Sequence, residues 1–299
     1  MSKESNNILY FQDAFTKEDE NAESKLEETA AEAFCELANA PIIGFRVGSK
    51  RRKEIRIKQN SKCQTHTGGI VWETAYLLAC YLEIKCKGGN SRLGKVLEVG
   101  SGCGMLGLAL SASKLAKKVV MTETTEVLPN LEKNLAFNLK LRKIGGKEPD
   151  GEQHEHACCV PEKISVRSLR WDKFDKDIKK CQADGSNDLD PHSFDTIIGT
   201  DVIFSKTLVK PLLKTLRKMS HEGTRVYLCV QIRCADSHAL LLKKASKYGL
   251  AVKDCTDELN DIPELKWGLA LDCKLLYVRV LTDEDGEGRE RSKKRRREG

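Results

Sequence analysis

The stretch VLEVGSGCGMLGLAL, Val96 to Leu110, is the feature that most restricts what this chain can fold into. An apolar, strand-like run ends at Gly100, a loop carries glycines at 100, 102 and 104, and a second apolar run carrying Gly107 follows; Gly94 precedes the strand. Glycine is needed where a backbone turns sharply or must come close to a ligand, so this reads as a strand, a binding loop and the start of a helix. Such a unit belongs in a parallel sheet.

The rest of the chain keeps the same beat. KVVMTE reads as a second strand and VLPNLEKNLAFNLKL as the helix after it. ISVRSL, FDTIIGTD, RVYLCVQI, LAVKDC and CKLLYVRVL supply five more strands, with SKTLVKPLLKTLRKMS and DSHALLLKKASKYG as intervening helices. The expectation is an α/β fold with a doubly wound seven-stranded sheet, mostly parallel, because strand and helix alternate. No strong helix separates the last two strands, which predicts an antiparallel hairpin at the sheet edge.

The glycines admit two frames. Gly102, Gly104 and Gly107 satisfy G-x-G-x-x-G, the dinucleotide fingerprint. Gly100, Gly102 and Gly104, with Glu98 inside the strand, give E-x-G-x-G-x-G, the pattern of S-adenosylmethionine enzymes. Strand position favours the second, because a dinucleotide loop that begins at the strand end, Gly100, needs its third glycine at residue 105, which is Met. Glu123, ending VVMTE, suits the ribose hydroxyls of either cofactor.

Several segments together resemble the seven-strand methyltransferases, and more narrowly the protein lysine methyltransferase group called methyltransferase family 16: GGIVWETA, VLEVGSGCG, VVMTE, PNLEKNLAFN, LRW and FDTIIGTDVIFSKTLVKPLL. The resemblance covers roughly residues 55 to 280. It implies a class I, Rossmann-like fold, S-adenosyl-L-methionine as cofactor, and a protein side-chain nitrogen, foremost lysine, as acceptor. By position, Trp72 resembles the tryptophan near the bound cofactor. Gly100, Ser101 and Gly102 resemble the loop around its methionine end, Glu123 the ribose ligand, Trp171 the adenine-side tryptophan and Thr200 a small residue of the pocket wall. Relatives often carry glycine where this chain has Asp172. The family's D-x-x-Y appears here as D-V-I-F, so Phe204 keeps the ring and loses the hydroxyl.

A sulfonium already carries a good leaving group, so methyl transfer asks the protein for alignment and a dry path. A lysine amine, with a free pKa of about 10.4, must first lose a proton. Asp201 is the expected catalytic residue, holding the incoming amine; its structural alternative is to cap the helix that follows. A protein arginine methyltransferase of the same fold, an NAD-dependent oxidoreductase using the shifted glycine frame, and a non-catalytic binding module are the competing readings.

Composition bounds the partners. The net charge of +7 is concentrated at the end, since residues 289–298 hold seven basic and two acidic side chains. The remaining body is near neutral, which argues against a general phosphate platform. No apolar run approaches the roughly 18 residues that span a bilayer. Twelve cysteines without a C-x-x-C pair suggest a reducing compartment, cytoplasmic, nuclear or both. The spacing of His154, His156, Cys158 and Cys159 matches no usual zinc pattern, so no metal is expected. The expected organisation is an acidic, partly helical arm over residues 1–54, a methyltransferase domain over 55–282 and a basic disordered tail over 283–299. The tail is a candidate for nuclear import or weak nucleic-acid contact. The whole is expected to be a monomer acting on a protein, away from membranes.

Overall fold

A computed structural model describes residues 8–14, 23–47, 53–60, 67–86, 93–143 and 163–282. The chain begins with β1 (Leu9–Tyr10), α1 (Phe11–Ala14), α2 (Glu23–Asn39), β2 (Ile42–Val47) and β3 (Lys53–Lys58). The alternating body follows: α3 (Glu73–Lys85), β4 (Gly94–Val99), α4 (Met105–Ala112), β5 (Ala116–Glu123), α5 (Leu128–Lys143), β6 (Ile164–Ser168) and α6 (Phe174–Ala183). It continues through β7 (Thr196–Thr200), α7 (Lys206–Met219), β8 (Arg225–Gln231), α8 (Ala235–Ala245), β9 (Leu250–Asp254), α9 (Asp257–Asn260), α10 (Trp267–Ala270) and β10 (Cys273–Val280).

The seven strands of the body form one sheet in the order β6-β5-β4-β7-β8-β10-β9. β4 to β8 pair in parallel, and β10 runs antiparallel to both of its neighbours. The expected hairpin is present, but its last strand lies inside the sheet: β10 inserts between β8 and β9, leaving β9 at the edge. The chain winds outward from β4 in both directions, which opens a crevice at the carboxyl ends of β4 and β7.

Each face of the sheet carries an apolar layer. One holds Leu77, Leu82, Leu108 and Met121 with α3, α4 and α5; the other holds Ile197, Leu212, Leu216 and Leu228 with α6, α7 and α8. α7 shows how sequence makes such a layer: Val209, Leu212, Leu213 and Leu216 recur at helical spacing and are buried, while Lys206, Lys210, Lys214 and Lys218 stay outside.

The amino-terminal segment is not separate from this core. β1, β2 and β3 form a small sheet, and Phe11, Leu37, Ile43 and Phe45 are buried in the same cluster as Tyr76, Leu77 and Met105. The boundary expected between residues 54 and 55 runs through β3. Two asparagines of α5 complete the free edge of β3. Asn138 accepts a hydrogen bond from the Arg56 amide at 3.0 Å and donates to the Arg56 carbonyl at 2.8 Å; Asn134 does the same for Lys58 at 2.8 and 3.1 Å. The basic tail and the His154 to Cys159 cluster lie outside the described residues.

Candidate functional site

All three loop glycines adopt left-handed backbone, with φ of +68° at Gly100, +51° at Gly102 and +85° at Gly104. That conformation costs other L-residues roughly 1–2 kcal/mol. Gly107 is different: it lies inside α4, and a Cβ there would come within 2.5 Å of the Glu98 carboxylate. It is a packing glycine, as strand position implies, and the loop frame is 100, 102, 104.

The loop opens onto a cavity of about 300 Å³ at the carboxyl ends of β4, β5 and β7. Seven of the ten expected site residues line it: Trp72, Gly100, Gly102, Glu123, Trp171, Thr200 and Asp201. The other three lie beneath the loop or inside it. Ser101 ties the loop to β5, its amide donating to the Thr122 carbonyl at 3.0 Å while its Oγ accepts from the Thr122 amide at 3.1 Å. Gly104 starts α4, and Glu98 is 1 % exposed, its carboxyl pushed up to about 8 by burial.

Glu123 stands at the end of β5. Its Oε1 accepts from the Gly102 amide at 3.2 Å and its Oε2 from the Thr124 amide at 2.5 Å, which fixes the carboxylate at the cavity wall. Both tryptophans expected at the site are only partly buried and face the cavity, whereas Trp267 is 4 % exposed and packs on Tyr76. Trp72 is held from two sides: its Nε1 donates to the Thr67 carbonyl at 3.0 Å, and Phe34 of α2 stacks on its ring at 5.7 Å.

Asp201 does not cap α7; Ser205 holds that position. Instead it terminates β7 with a left-handed φ of +50°, unusual for a residue with a side chain. Its Oδ1 accepts from the Gln231 amide at 2.9 Å and its Oδ2 from the Arg233 guanidinium at 3.2 Å. Arg233 also donates to Glu73 at 3.0 Å and lies 4.2 Å over the Trp72 ring. Burial raises the Asp201 carboxyl above the ordinary aspartate value, against the lowering pull of the Gln231 amide and Arg233. Burial likewise raises Glu73, whose neighbour Asp201 adds to the effect.

Sequence reasoning missed Arg233 and Glu73. Glu73 follows Trp72 directly within the matched GGIVWETA, but nothing in QIRCADS marks Arg233, which meets it only through the fold. Phe204, second residue after Val202 in the D-V-I-F motif, lines the mouth with 44 % of its surface exposed.

The cavity is acidic. Among the described residues Glu123, Asp172 and Asp201 line it with one cation, Arg170, and Arg170 is engaged by Asp177 through bonds of 3.2 and 2.9 Å. Such a lining suits a sulfonium and an amine. The left-handed glycine loop, the carboxylate at the end of β5 and two aromatic walls fit S-adenosylmethionine. Among the described residues no group of His, Cys, Asp and Glu is disposed to hold a metal ion, and no helix is long and apolar enough to cross a membrane.

Comparison with known proteins bears on the same region. Residues 49–247 match the model of a family described as lysine methyltransferase. Protein-lysine methyltransferase METTL21E of Mus musculus is 25% identical over 254 residues, covering 83% of this chain and 87% of its own length. The Bos taurus protein of that name is 26% identical, over 74% of this chain and 62% of its own. Protein N-lysine methyltransferase METTL21A of Xenopus tropicalis is 26% identical, over 62% of this chain and 71% of its own. Among solved structures, a TehB-like SAM-dependent methyltransferase from Corynebacterium glutamicum aligns with a TM-score of 0.40 at 13% identity, over 72% of this chain and 90% of that one.

Proposed function

The chain belongs to the lysine methyltransferase family, and from that premise we propose that it transfers a methyl group from S-adenosylmethionine to the amine of a protein lysine, with Asp201 as the catalytic residue. The observation that carries this reading is the placing of Asp201: a fixed, nearly buried carboxylate at the end of β7, in the wall of the cavity that the glycine loop opens onto.

When bound, S-adenosylmethionine supplies an electrophilic methyl on a sulfonium leaving group. Gly100 and Gly102 would present backbone to its methionine end, Glu123 would take the ribose hydroxyls, and Trp171 and Trp72 would wall the two sides. Asp201 receives the lysine as its ammonium, the charged form favoured in water. The nitrogen must lose a proton to solvent before its lone pair is free to act as the nucleophile. Asp201 then holds the neutral amine through a remaining N–H, directing the lone pair inward. Phe204 contributes an apolar lip and no hydroxyl. The basic run at 293–297 supports access to the nucleus as well as the cytoplasm.

The test is incubation with methyl-labelled cofactor and a hypomethylated lysate, followed by mapping of the modified residue by mass spectrometry. The wild-type protein is expected to label lysine. Asp201→Asn is expected to bind cofactor normally and label at least about a hundredfold less, the usual scale for a group that acts on a proton or charge in the transition state. Gly102→Arg is expected to lose cofactor binding. Label on arginine, or undiminished labelling by Asp201→Asn, would overturn the assignment.

A further inference from the structure

A second cleft, of about 530 Å³, adjoins the first and shares Trp171 and Asp172 with it. It lies between the start of α6 and the outer face of α7. Among the described residues five cations line it: Lys173, Lys176, Lys214, Arg217 and Lys218. Two carboxylates, Asp172 and Asp175, oppose them, and Asp175 is already paired with Lys218 at 2.6 Å. Lys173, Lys176, Lys214 and Arg217 are exposed, and among the described residues no carboxylate is paired with Lys176, Lys214 or Arg217.

We propose that this cleft docks an acidic segment of the protein substrate, neighbouring the lysine that enters beside Asp201. The proposal rests on the lysine methyltransferase reading and deepens it. Charge complementarity selects an acidic partner. The two carboxylates in the wall favour a polypeptide over a nucleic acid, because they repel phosphates yet accept backbone N–H groups. Position sets the register. α7 leads from Phe204 at the mouth to Lys214 and Arg217, about 15 to 20 Å at 1.5 Å per residue, which an extended chain at 3.3 Å per residue spans in roughly four to six residues. The preferred lysine is therefore one with glutamate or aspartate at that separation.

The experiment measures fluorescence anisotropy of labelled peptides on the full chain saturated with S-adenosylhomocysteine. Each peptide carries one lysine and, at the predicted separation on either side, glutamates, alanines or lysines. The glutamate peptide is expected to bind roughly three- to tenfold more tightly than the alanine peptide, the sum of a few exposed ion pairs, and to lose that advantage at high salt. In Lys176→Glu/Lys214→Glu the preference is expected to invert toward the lysine peptide, a gain that a folding defect does not produce, with cofactor affinity unchanged. Equal binding of the glutamate and alanine peptides, or displacement of the glutamate peptide by lower concentrations of single-stranded RNA than of unlabelled peptide, overturns the proposal. Failure of the methyltransferase reading is separate, since it appears as loss of cofactor binding or of lysine labelling in the lysate.

Discussion

Asp201 and Glu73 are two raised carboxyls on one guanidinium, and Arg233 sets the balance between them. Arg233 lowers the Asp201 carboxyl against the pull of burial. Removing it leaves burial unopposed on that side, so Asp201 must protonate at a higher pH. Arg233→Ala is expected to move the acid limb of the kcat profile upward, with Arg233→Lys restoring most of the shift; a limb that stays put would mean Arg233 only packs on Trp72. Glu98 makes the converse point about stability. Its carboxyl titrates near 8 in the folded chain, raised by burial, against about 4.3 when unfolded. Between those values the folded protein holds a proton that the unfolded chain has lost, so this group makes stability fall as pH rises through that window. Glu98→Gln is expected to gain Tm relative to wild type progressively from pH 5 to pH 8.5 in thermal melts. A difference in Tm that does not change with pH would show the carboxyl to be ionised throughout.

The elements carry information of a different kind, and their legibility follows from how each is buried. The seven strands of the body were readable because they are apolar runs bounded by charge and separated by helices of regular period, and the three loop glycines because strand position fixed their frame. β2 was not readable: IIGFRV has no alternation, since it is buried on both faces between β1 and β3. α6 was missed because Phe174, Ile178 and Cys181 form only a short stripe within FDKDIKKCQA. Asn134 and Asn138 show what a motif hides. PNLEKNLAFN looks like an ordinary polar helix, yet both amides are buried and pair the backbone of β3, and Asn134 also donates to the Cys103 carbonyl in the glycine loop at 3.0 Å. Asn138→Ala removes the side chain that bonds the Arg56 amide and carbonyl, at a cost of about 2–4 kcal/mol. A Tm lowered by roughly 5–10 °C is the expected reading in calorimetry. A drop within the error of the melt would mean that β3 finds its edge partners elsewhere.

At the scale of the whole molecule, the amino-terminal segment and the catalytic body stabilise one another. Leu37, Ile43, Phe45 and Ile57 belong to the apolar layer of α3 and α4, and Phe34 reaches across to stack on Trp72 at the cavity wall. An acidic composition suggested a loose arm because its charges dominate the count; the apolar positions that matter, Ala30, Ala33 and Leu37, are few and lie on one stripe. Two consequences separate this arrangement from an independent arm. Full-length protein should melt in one cooperative transition, with calorimetric and van't Hoff enthalpies equal, because the segment and the body share one apolar layer. A chain lacking residues 1–41 should melt well below the full chain and bind cofactor weakly, since it loses Leu37 from the core and Phe34 from behind Trp72. Phe34→Ala isolates the second effect: an aromatic stack is worth about 0.5–1.5 kcal/mol, so cofactor affinity should fall by roughly two- to tenfold with little change in Tm. Were the truncated chain to bind and melt as the full protein does, the segment would be a separate arm, and the packing of α2 against Trp72 would play no part in forming the site.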